Sequence, residues 1–431
     1  MKITRKAAGA AAATAAVALV LTACSGGDDT GGDEGGDVTL TVAWWGNDDR
    51  AAKYEESIDL FEEANPGVTV QTQFQAWDDY WTARNTEAAG SALPDVFQMD
   101  LSYLRQYGGT GQLADLGEYT DQIDTSGFDE ALLSSGTIDG AQYGVPTSQN
   151  TLAMFYNQDV LDKIGVEPLA EGYTWDDLNA FITEASEAGA GEDPAIYGMG
   201  DYTGTFWFFL QWLIQQGTDP FTEDGQLAFD EAQMAEFLNL PGSLRDSGAL
   251  YPTERGVQLA PLSGFTSNEV GAEASWDNFL AGYVADSGTE NIEMLPMPSG
   301  ANGPQQFWKP SMLLSSGANS EHPEEAAELI SFLVNDPEVG KIFGTSKGVP
   351  AVAAQRDAME VEEGSVDATV VAYEEAVADQ VTEAAPLPVE GFGSIEAEYK
   401  RLAEELGYGN ITVDEFVEQW FMFAADNVGQ S

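Results

Sequence analysis

The chain has 431 residues, and its 16 basic and 73 acidic residues give it a formal net charge of −57. This charge argues against nucleic acid as a partner, because phosphate binding requires clustered lysine and arginine. The hydrophobic content of 43% separates the chain from disordered acidic proteins, and its length is sufficient for two domains. One cysteine and one histidine cannot form an internal disulfide or an ordinary zinc site, so we expect neither a metal nor a cofactor.

Residues 1–23 have the pattern of a secretory signal peptide. Three basic residues precede Ala7–Leu21, an uncharged and mostly apolar stretch shorter than the roughly 20 residues of a spanning helix. Leu21-Thr22-Ala23-Cys24 resembles the lipobox of bacterial lipoproteins, in which the cysteine is lipidated and becomes the first mature residue. We therefore expect lipid on Cys24 and a location on the extracytoplasmic face of the cell membrane. A retained membrane-spanning anchor is the alternative.

Residues 24–37 are predicted to form a flexible tether. Ser25–Asp37 is rich in glycine and acids and contains no apolar side chain, so nothing in it can enter a core. A flexible segment of this length has a root-mean-square reach of roughly 20 Å, which would keep the folded body close to the membrane.

The segment that follows predicts alternating strands and helices. Val38–Trp44, Val68–Phe74 and the short Asp95–Met99 have the composition and period of strands. Arg50–Ala64 and the stretch from about Trp77 to Ala89 are predicted helices. This alternation indicates an α/β sheet.

The pattern restarts near residue 151. Strands are predicted at Thr151–Tyr156 and Ile292–Leu295, and Asp224-Gly225 predicts a hairpin turn. Thr174 and Thr412 have the spacing of helix N-caps with an acidic residue three positions later. The last third is mainly helical, with helices predicted over Pro323–Val334, Pro337–Phe343, Val366–Ala384, Ser394–Leu406 and Val413–Asn427.

The order and spacing of many short segments resemble the extracellular solute-binding lipoproteins of ABC transporters. The similarity is to the family that binds sugars and oligosaccharides, which is maltose-binding-protein-like (family 1), and it extends over nearly the whole mature chain. The segments are Trp44-Trp45-Gly46, Phe61-Glu62, Asn65-Pro66, Leu93-Pro94-Asp95-Val96, Gln98-Met99-Asp100, Gly111-Gln112-Leu113-Ala114-Asp115-Leu116, Tyr143-Gly144-Val145-Pro146, Phe155-Tyr156-Asn157, Thr174-Trp175-Asp176-Asp177-Leu178, Leu295-Pro296-Met297-Pro298, Glu325-Ala326-Ala327 and Gly348-Val349-Pro350.

The resemblance implies an α/β, two-lobed periplasmic-binding-protein fold, hinge-connected, with the ligand in the interlobe cleft. Lobe one would hold residues 38–147 and 297–340, and lobe two residues 152–292 and 346–431. The hinge crossings would lie near 146–151, 295–298 and 343–348.

The implied function is that of a carbohydrate receptor of an ABC import system. It would bind a sugar or oligosaccharide by hinge closure, deliver it to the membrane permease, and act as a monomer without enzymatic activity. Two alternatives stay open: a receptor for another small solute, such as a polyamine or glycerol phosphate, and a secreted glycosidase. The glycosidase stays open because 73 acids could supply a suitable carboxylate pair by chance. A serine hydrolase is disfavoured, since the G-x-S-x-G match at 344–348 lacks a strand before it.

Sugar recognition calls for aromatic rings against C–H faces and for carboxylates or amides against hydroxyls. Candidates of these types lie where predicted strands end, at the start of a helix or polar run, or in polar loops. By these criteria we expect ligand contacts from Trp45, Asn47, Asp48, Trp77, Asp100, Tyr103, Tyr202, Trp308 (in a predicted Gly/Pro-rich loop) and Phe392. The resemblance adds Gln149 and Asn150 on the first crossing, together with Trp276 and Asp277, where the family often places a stacking tryptophan. Core packing is the alternative for each of the aromatic residues.

Overall fold

The computed structural model describes residues 37–222, 224–260 and 262–429, which belong to one compact unit. The predicted signal peptide, Cys24 and the tether up to residue 36 lie outside the described residues. Within the described part of the chain, no helix is both long enough and apolar enough to cross a membrane.

Strands and helices alternate through the first hundred described residues, and helices dominate the last hundred. The strands are β1 (Val38–Trp45), β2 (Val68–Gln75), β3 (Val96–Met99), β4 (Thr137–Ile138), β5 (Ala141–Gln142), β6 (Val145–Asn150), β7 (Leu152–Asn157), β8 (Ala272–Trp276), β9 (Ile292–Leu295), β10 (Gln306–Ser315), β11 (Val349–Pro350) and β12 (Val381–Ala384). The helices are α1 (Asp48–Ala64), α2 (Trp77–Ala89), α3 (Leu101–Gly109), α4 (Glu130–Ser134), α5 (Gln158–Ile164), α6 (Trp175–Gly189), α7 (Phe206–Gln215), α8 (Glu231–Asn239), α9 (Gly242–Ser247), α10 (Thr253–Leu259), α11 (Leu280–Ser287), α12 (Pro323–Asn335), α13 (Pro337–Phe343), α14 (Ala353–Ala358), α15 (Val366–Val377), α16 (Phe392–Gly407) and α17 (Val413–Asn427).

The larger sheet combines strands from distant parts of the chain. Its strand order is β11-β6-β10-β3-β1-β2, and β12 pairs with β10 beside this path. β1 is parallel to β2 and β3, as the helices between them permit, whereas β10 runs antiparallel to β3 and β6. The α/β unit predicted for the first hundred residues is therefore completed by strands that come much later.

The smaller sheet has β7 at its centre, antiparallel to β8 and to β9. β6 and β7 are consecutive strands that belong to different sheets, and only Thr151 lies between them. All six residues of β7 are buried. The chain therefore passes from one sheet to the other through the single residue Thr151, which is buried.

Adjacent tryptophans at the end of β1 serve different cores, because side chains of a strand alternate between faces. Trp44 packs with Tyr54 and Phe61 of α1 on one face of the larger sheet. Trp45 lies on the other face, in a core that continues through α7 and α17. This placement agrees with the alternation read from the sequence.

The bounds of β1, β2, β3, α1 and α2 lie within two residues of the predicted ones. Thr174 and Thr412 both form complete capping boxes, and Phe221 bridges Leu227 across the predicted hairpin turn. One predicted helix is too long: the helix expected over Val366–Ala384 ends at Val377. The rest becomes a short 3-10 turn and strand β12, because Val381–Ala384 pairs with the start of β10.

Strand β10 corrects the prediction of a loop around Trp308. The ten residues from Gln306 to Ser315 form one strand despite Pro310 in its middle. Proline lacks the N–H that a sheet ladder needs and normally argues against a central strand. The ladder between β10 and β6 adapts by shifting register between Pro310 and Met312 and again at Leu313. Trp308 and the neighbouring lysine are therefore held rigidly in a sheet.

Candidate functional site

A cavity of about 910 Å³ lies where the N-terminal ends of the four helices α2, α3, α7 and α16 converge. We call it the cleft pocket. Helices α2 and α3 approach it from the larger sheet, and α16 approaches it from the other side. Its lining includes Trp77, Ser102, Tyr103, Thr205, Phe206, Glu273, Ser275, Phe279, Tyr283, Glu396 and Lys400. The volume is near the top of the range of about 300–1,000 Å³ for small-molecule sites.

One side of the cleft pocket is an aromatic wall made of Trp45, Trp77, Trp81 and Tyr103. Trp77 and Trp81 are four residues apart in α2 and therefore share a helix face. Trp77 is 41% exposed and stands edge-on to Trp45, with ring centroids 5.0 Å apart. Trp81 stacks on Tyr103 of α3 at 3.8 Å. The wall thus presents two accessible rings, Trp77 and Tyr103, supported by two buried ones.

A second aromatic group lies across from the wall. Trp207 near the start of α7 meets Trp276 at the end of β8 in a T-shaped contact, with centroids 5.6 Å apart. The ammonium of Lys309 sits over both rings, 5.6 Å from the centroid of Trp207 and 5.5 Å from that of Trp276. These distances are within the range of cation–π attraction.

Lys309 also joins the two sides of the site electrostatically. Its Nζ lies 3.7 Å from Oδ2 of Asp100, and both side chains are largely buried. The other carboxylate oxygen of Asp100 accepts a hydrogen bond from Ser102 N–H and so caps α3. Burial, followed by the nearby charge of Asp100, raises the pKa of Glu396 to about 7, while Lys309 acts in the opposite direction. The charges of the buried Lys309–Asp100 pair therefore nearly cancel beside Glu396, which lines the cleft pocket.

The buried carboxyl of Glu273 adds to this balance. It accepts hydrogen bonds from Ser263 and Tyr283, and burial raises its pKa above the ordinary range. Among the described residues no group of three or more histidine, cysteine, aspartate or glutamate side chains is arranged to hold a metal ion.

Five of the residues expected from the sequence meet at this site. Trp77 and Tyr103 line the cleft pocket, Trp45 supports the aromatic wall, and Asp100 and Trp276 contact Lys309. They come from four separate chain segments, which the folding of both sheets brings together.

Two other candidates lie at the start of α1. Asn47 caps this helix by accepting a hydrogen bond from the N–H of Arg50 at 3.0 Å. Asp48 belongs to its first turn, where a negative charge favours the helix dipole. Both are exposed and neither lines the cleft pocket.

Gln149, Asn150 and Asp277 are buried beside the step between the two sheets. Gln149 Nε2 donates a hydrogen bond to Oε2 of Glu374 at 2.8 Å, and Asp277 Oδ2 accepts one from Thr151 N–H at 2.9 Å. These side chains stabilise the crossing segment and do not line the cleft pocket.

Tyr202, Trp308 and Phe392 are core residues in the structure. Tyr202 is 3% exposed and donates its hydroxyl hydrogen to Asn179 Oδ1. Trp308 packs in a core with Ala153 and Tyr373 because strand β10 holds it there. Phe392 is fully buried against Phe206 and Trp207. None of the three lines the cleft pocket, since each finds its neighbours inside the protein.

Sequence reasoning missed Phe279 and Glu396 and did not select Phe206 or Trp207. The run that contains Phe206 and Trp207 is almost entirely apolar. Its sequence therefore does not distinguish the start of α7, where Phe206 lines the pocket, from the buried turns that follow. Phe279 is 49% exposed and directly follows the polar residues Asp277 and Asn278. This polar neighbourhood is the sequence signal that could have indicated an accessible ring. Glu396 sits in the first turns of α16, and no signal distinguishes it from the many other acids.

The G-x-S-x-G match does not form a nucleophile elbow. Helix α13 ends at Phe343, and Ser346 Oγ donates a hydrogen bond to the carbonyl oxygen of that residue. His322 occupies the N-cap position of α12. A nucleophile elbow requires a strand before the serine and a helix directly after it, and neither is present here.

Comparison with known proteins places the chain in a family. Residues 56–368 match the family model of bacterial extracellular solute-binding proteins. The chain is 27% identical to the diacetylchitobiose binding protein of Streptomyces coelicolor over 300 residues, which cover 67% of each protein. A periplasmic solute binding protein from Pectobacterium atrosepticum has a similar structure, with a TM-score of 0.77, 24% identity, and coverage of 90% of this chain and 98% of that one.

A periplasmic oligogalacturonide binding protein from Yersinia enterocolitica, solved in complex with saturated digalacturonic acid, is also similar in structure. Its TM-score is 0.74 and its identity 22%, with coverage of 89% of this chain and 96% of that one. The fold is therefore the two-lobed α/β fold of these binding proteins. Since the family model spans most of the described residues, the chain is a member of the bacterial extracellular solute-binding protein family.

Proposed function

We propose that this protein is the extracytoplasmic receptor of an ABC import system and binds a neutral sugar or oligosaccharide in the cleft pocket. The observation that carries the proposal is the composition of the pocket: accessible aromatic rings line it together with Lys400 and the carboxyl groups of Glu273 and Glu396, and the buried Lys309–Asp100 ion pair lies beside Glu396. Rings such as Trp77 and Tyr103 suit the C–H faces of a sugar. Glu273, Ser275 and Glu396, which line the pocket, suit vicinal hydroxyls, which both donate and accept hydrogen bonds.

The names of the relatives support a carbohydrate over other solutes. The Streptomyces relative is a diacetylchitobiose binding protein, and the Yersinia structure contains digalacturonic acid. A glycerol phosphate would need basic groups that are free to pair with it, whereas Lys309 is held by Asp100 and Lys400 lies four residues from Glu396, whose pKa it lowers. A polyamine would need unmatched carboxylates, and the same ion pair and the raised pKa of Glu396 reduce the negative charge that it would meet.

A glycosidase is the second candidate, and it has one specific observation in its favour. Glu396 has a raised pKa, as a general acid does, and the Asp100 carboxyl is near enough to affect it. The family is one of binding proteins, and we therefore propose that the ligand leaves unchanged.

We propose that ligand binding closes the two halves about three crossings. The first is Thr151, and the third lies in residues 344–348. The second would extend from the predicted crossing at 295–298 to residues 304–306, because the segment between them is bonded to the chain around α6 and α7. Ser299 N–H donates to the carbonyl oxygen of Tyr173 at 2.7 Å, and Asn302 Nδ2 donates to that of Gln215 at 3.0 Å.

A ligand screen by thermal shift and calorimetry tests the function. The panel contains neutral oligosaccharides, oligogalacturonides, spermidine and glycerol 3-phosphate, and each mixture is analysed by chromatography after prolonged incubation. We expect stabilisation by a neutral oligosaccharide that is recovered intact. Binding only of spermidine or glycerol 3-phosphate contradicts the proposal, and shortened sugar products would replace it with the glycosidase.

A further inference from the structure

A reciprocal pair of hydrogen bonds fixes the residue between the two sheets. Thr151 N–H donates to Asp277 Oδ2 at 2.9 Å, and Asp277 N–H donates to the carbonyl oxygen of Thr151 at 3.0 Å. Asp277 is fully buried and follows β8 of the smaller sheet. The backbone at the first crossing is therefore held by a carboxyl group and not by a sheet ladder alone.

A second buried carboxyl holds the same segment two residues earlier. Gln149 Nε2 donates to Oε2 of Glu374, a residue of α15 that is 4% exposed. Gln149 also lies opposite Pro310 of β10 and Val349 of β11 in the larger sheet. The segment Gln149–Thr151 is thus held by hydrogen bonds to two acids, one directly after β8 and the other in α15.

The two acids face each other. Asp277 Oδ1 and Glu374 Oε1 are both buried without a hydrogen-bond partner among the described residues, and each acid affects the pKa of the other. Two carboxylates at hydrogen-bonding distance repel each other unless a proton lies between them. Burial raises the pKa of Asp277 to about 7 and that of Glu374 well above its usual range.

Little in the surroundings could replace this proton. Arg356 of α14 is the one basic residue that affects Glu374, and its Nη1 already donates to the carbonyl oxygens of Pro350 and Ala351 at 2.7 and 2.9 Å. Tyr373 donates its hydroxyl hydrogen to the carbonyl oxygen of Leu152. Asn278 contributes only a backbone hydrogen bond to Asp277.

We propose that a single proton shared by Asp277 and Glu374 locks the crossing segment Gln149–Thr151, and that its loss loosens this segment. Without the proton, two negative charges share a buried site and push apart the elements that hold residues 149 and 151. The first crossing is then a proton-sensitive joint of the fold, independent of which solute the protein binds.

Hydrogen exchange of the peptide that contains Thr151 tests this inference, measured by mass spectrometry between pH 5.5 and 8.5 and corrected for the intrinsic rate. In the wild type we expect protection to fall as the pH rises, because the pair then loses the proton that its two carboxyl groups share. In Glu374→Gln we expect almost no fall, because the new amide donates permanently to Asp277 while its oxygen accepts from Gln149. Asp277→Asn should behave in the same way and serves if the first variant folds poorly.

Glu375→Gln is the matched control, since Glu375 is the exposed neighbour of Glu374 on the same helix. It should keep the full pH dependence of the wild type. Protection that is equally pH-dependent in the Gln and Asn variants overturns the proposal. So does protection that follows added Na⁺ or Ca²⁺ at constant pH, because a bound cation would then occupy the place of the proton.

Discussion

Tyr103 of α3 stacks on Trp81 of α2 with 3.8 Å between the ring centroids and 18° between the ring planes. This contact fixes the angle between two helices that begin at the cleft pocket. It also brings α3 against α16, where a side chain at Gly393 would lie 3.5 Å from the Tyr103 hydroxyl oxygen. Arg105, two residues further along α3, donates from Nε to the carbonyl oxygen of Pro388 at 3.1 Å. The aromatic wall is therefore anchored to the opposite side of the pocket through a single short helix.

Replacing Trp77 by alanine should weaken ligand binding much more than it weakens the fold. The ring is 41% exposed and lines the cleft pocket, so its loss removes stacking and contact area worth about 1–3 kcal/mol of binding free energy. Calorimetry should then give a dissociation constant roughly ten times higher or more. Trp420→Ala is the control, because that fully buried ring should cost about 3–5 kcal/mol of unfolding free energy. Equal losses of stability in both variants, with affinity unchanged in Trp77→Ala, would identify Trp77 as a structural residue.

Lys309→Met should lower both affinity and stability. The substitution leaves the Asp100 carboxylate largely buried without its cation, and breaking such a pair costs about 3 kcal/mol. Denaturant unfolding near pH 8 measures the loss. Lys163→Met is the control, because Lys163 pairs with Glu192 at the surface and should change stability by at most about 1 kcal/mol. An equally small effect at both positions would contradict the ion-pair assignment.

Glu396 should make stability fall as pH rises through the neutral range. Its pKa is raised to about 7 in the folded protein, whereas an unfolded glutamate titrates near about 4.3. Between these values the native state binds more protons than the unfolded state, so the unfolding free energy decreases with increasing pH. Glu396→Gln should remove about 2 kcal/mol of this decrease between pH 5 and pH 8, measured by denaturant titration. Parallel curves for the variant and the wild type would mean that Glu396 is ionised throughout.

Cys24→Ala should release the protein from the membrane. The prediction follows from the lipobox-like Leu21–Cys24, since acyl chains on Cys24 would be the attachment of the mature protein. Cell fractionation should find the wild type with membranes and the variant in the soluble extracytoplasmic fraction or as an unprocessed precursor. Ser25→Ala, the neighbouring substitution, should leave the wild-type distribution unchanged. Mass spectrometry that finds no lipid on Cys24 would refute the anchor.

Local rules account for the elements that were predicted correctly. Val38–Trp45 and α1 have clear periods of two and 3.6 residues, and the caps at Thr174 and Thr412 depend on neighbours three positions away. Strand β10 was missed because Pro310 breaks the local pattern, and only the pairing with β3 and β6 compensates for it. A rule that sees a few neighbouring residues cannot include that compensation.

The candidate site shows the same limit at longer range. Trp45 was expected to point away from Trp44, and it does, but the start of α2 covers it and leaves Trp77 as the accessible ring. Lys309 meets Trp207 and Trp276, residues far away along the chain, and nothing near Lys309 in the sequence indicates this contact. Residue type selected Trp77 and Tyr103, which line the cleft pocket, but it also selected Tyr202, Trp308 and Phe392, which are buried in the core.

The strand order of the larger sheet sets a condition on how the protein acquires its structure during synthesis. β3 has β1 on one side, and its other neighbour, β10, begins more than two hundred residues later, while the outermost strand β11 is near residue 350. Contacts of such high sequence separation fold slowly, because a long loop must close before they form. The N-terminal half therefore cannot complete its sheet while it is emerging from the ribosome. It stays in an incomplete form with an open sheet edge until the last third of the chain is available.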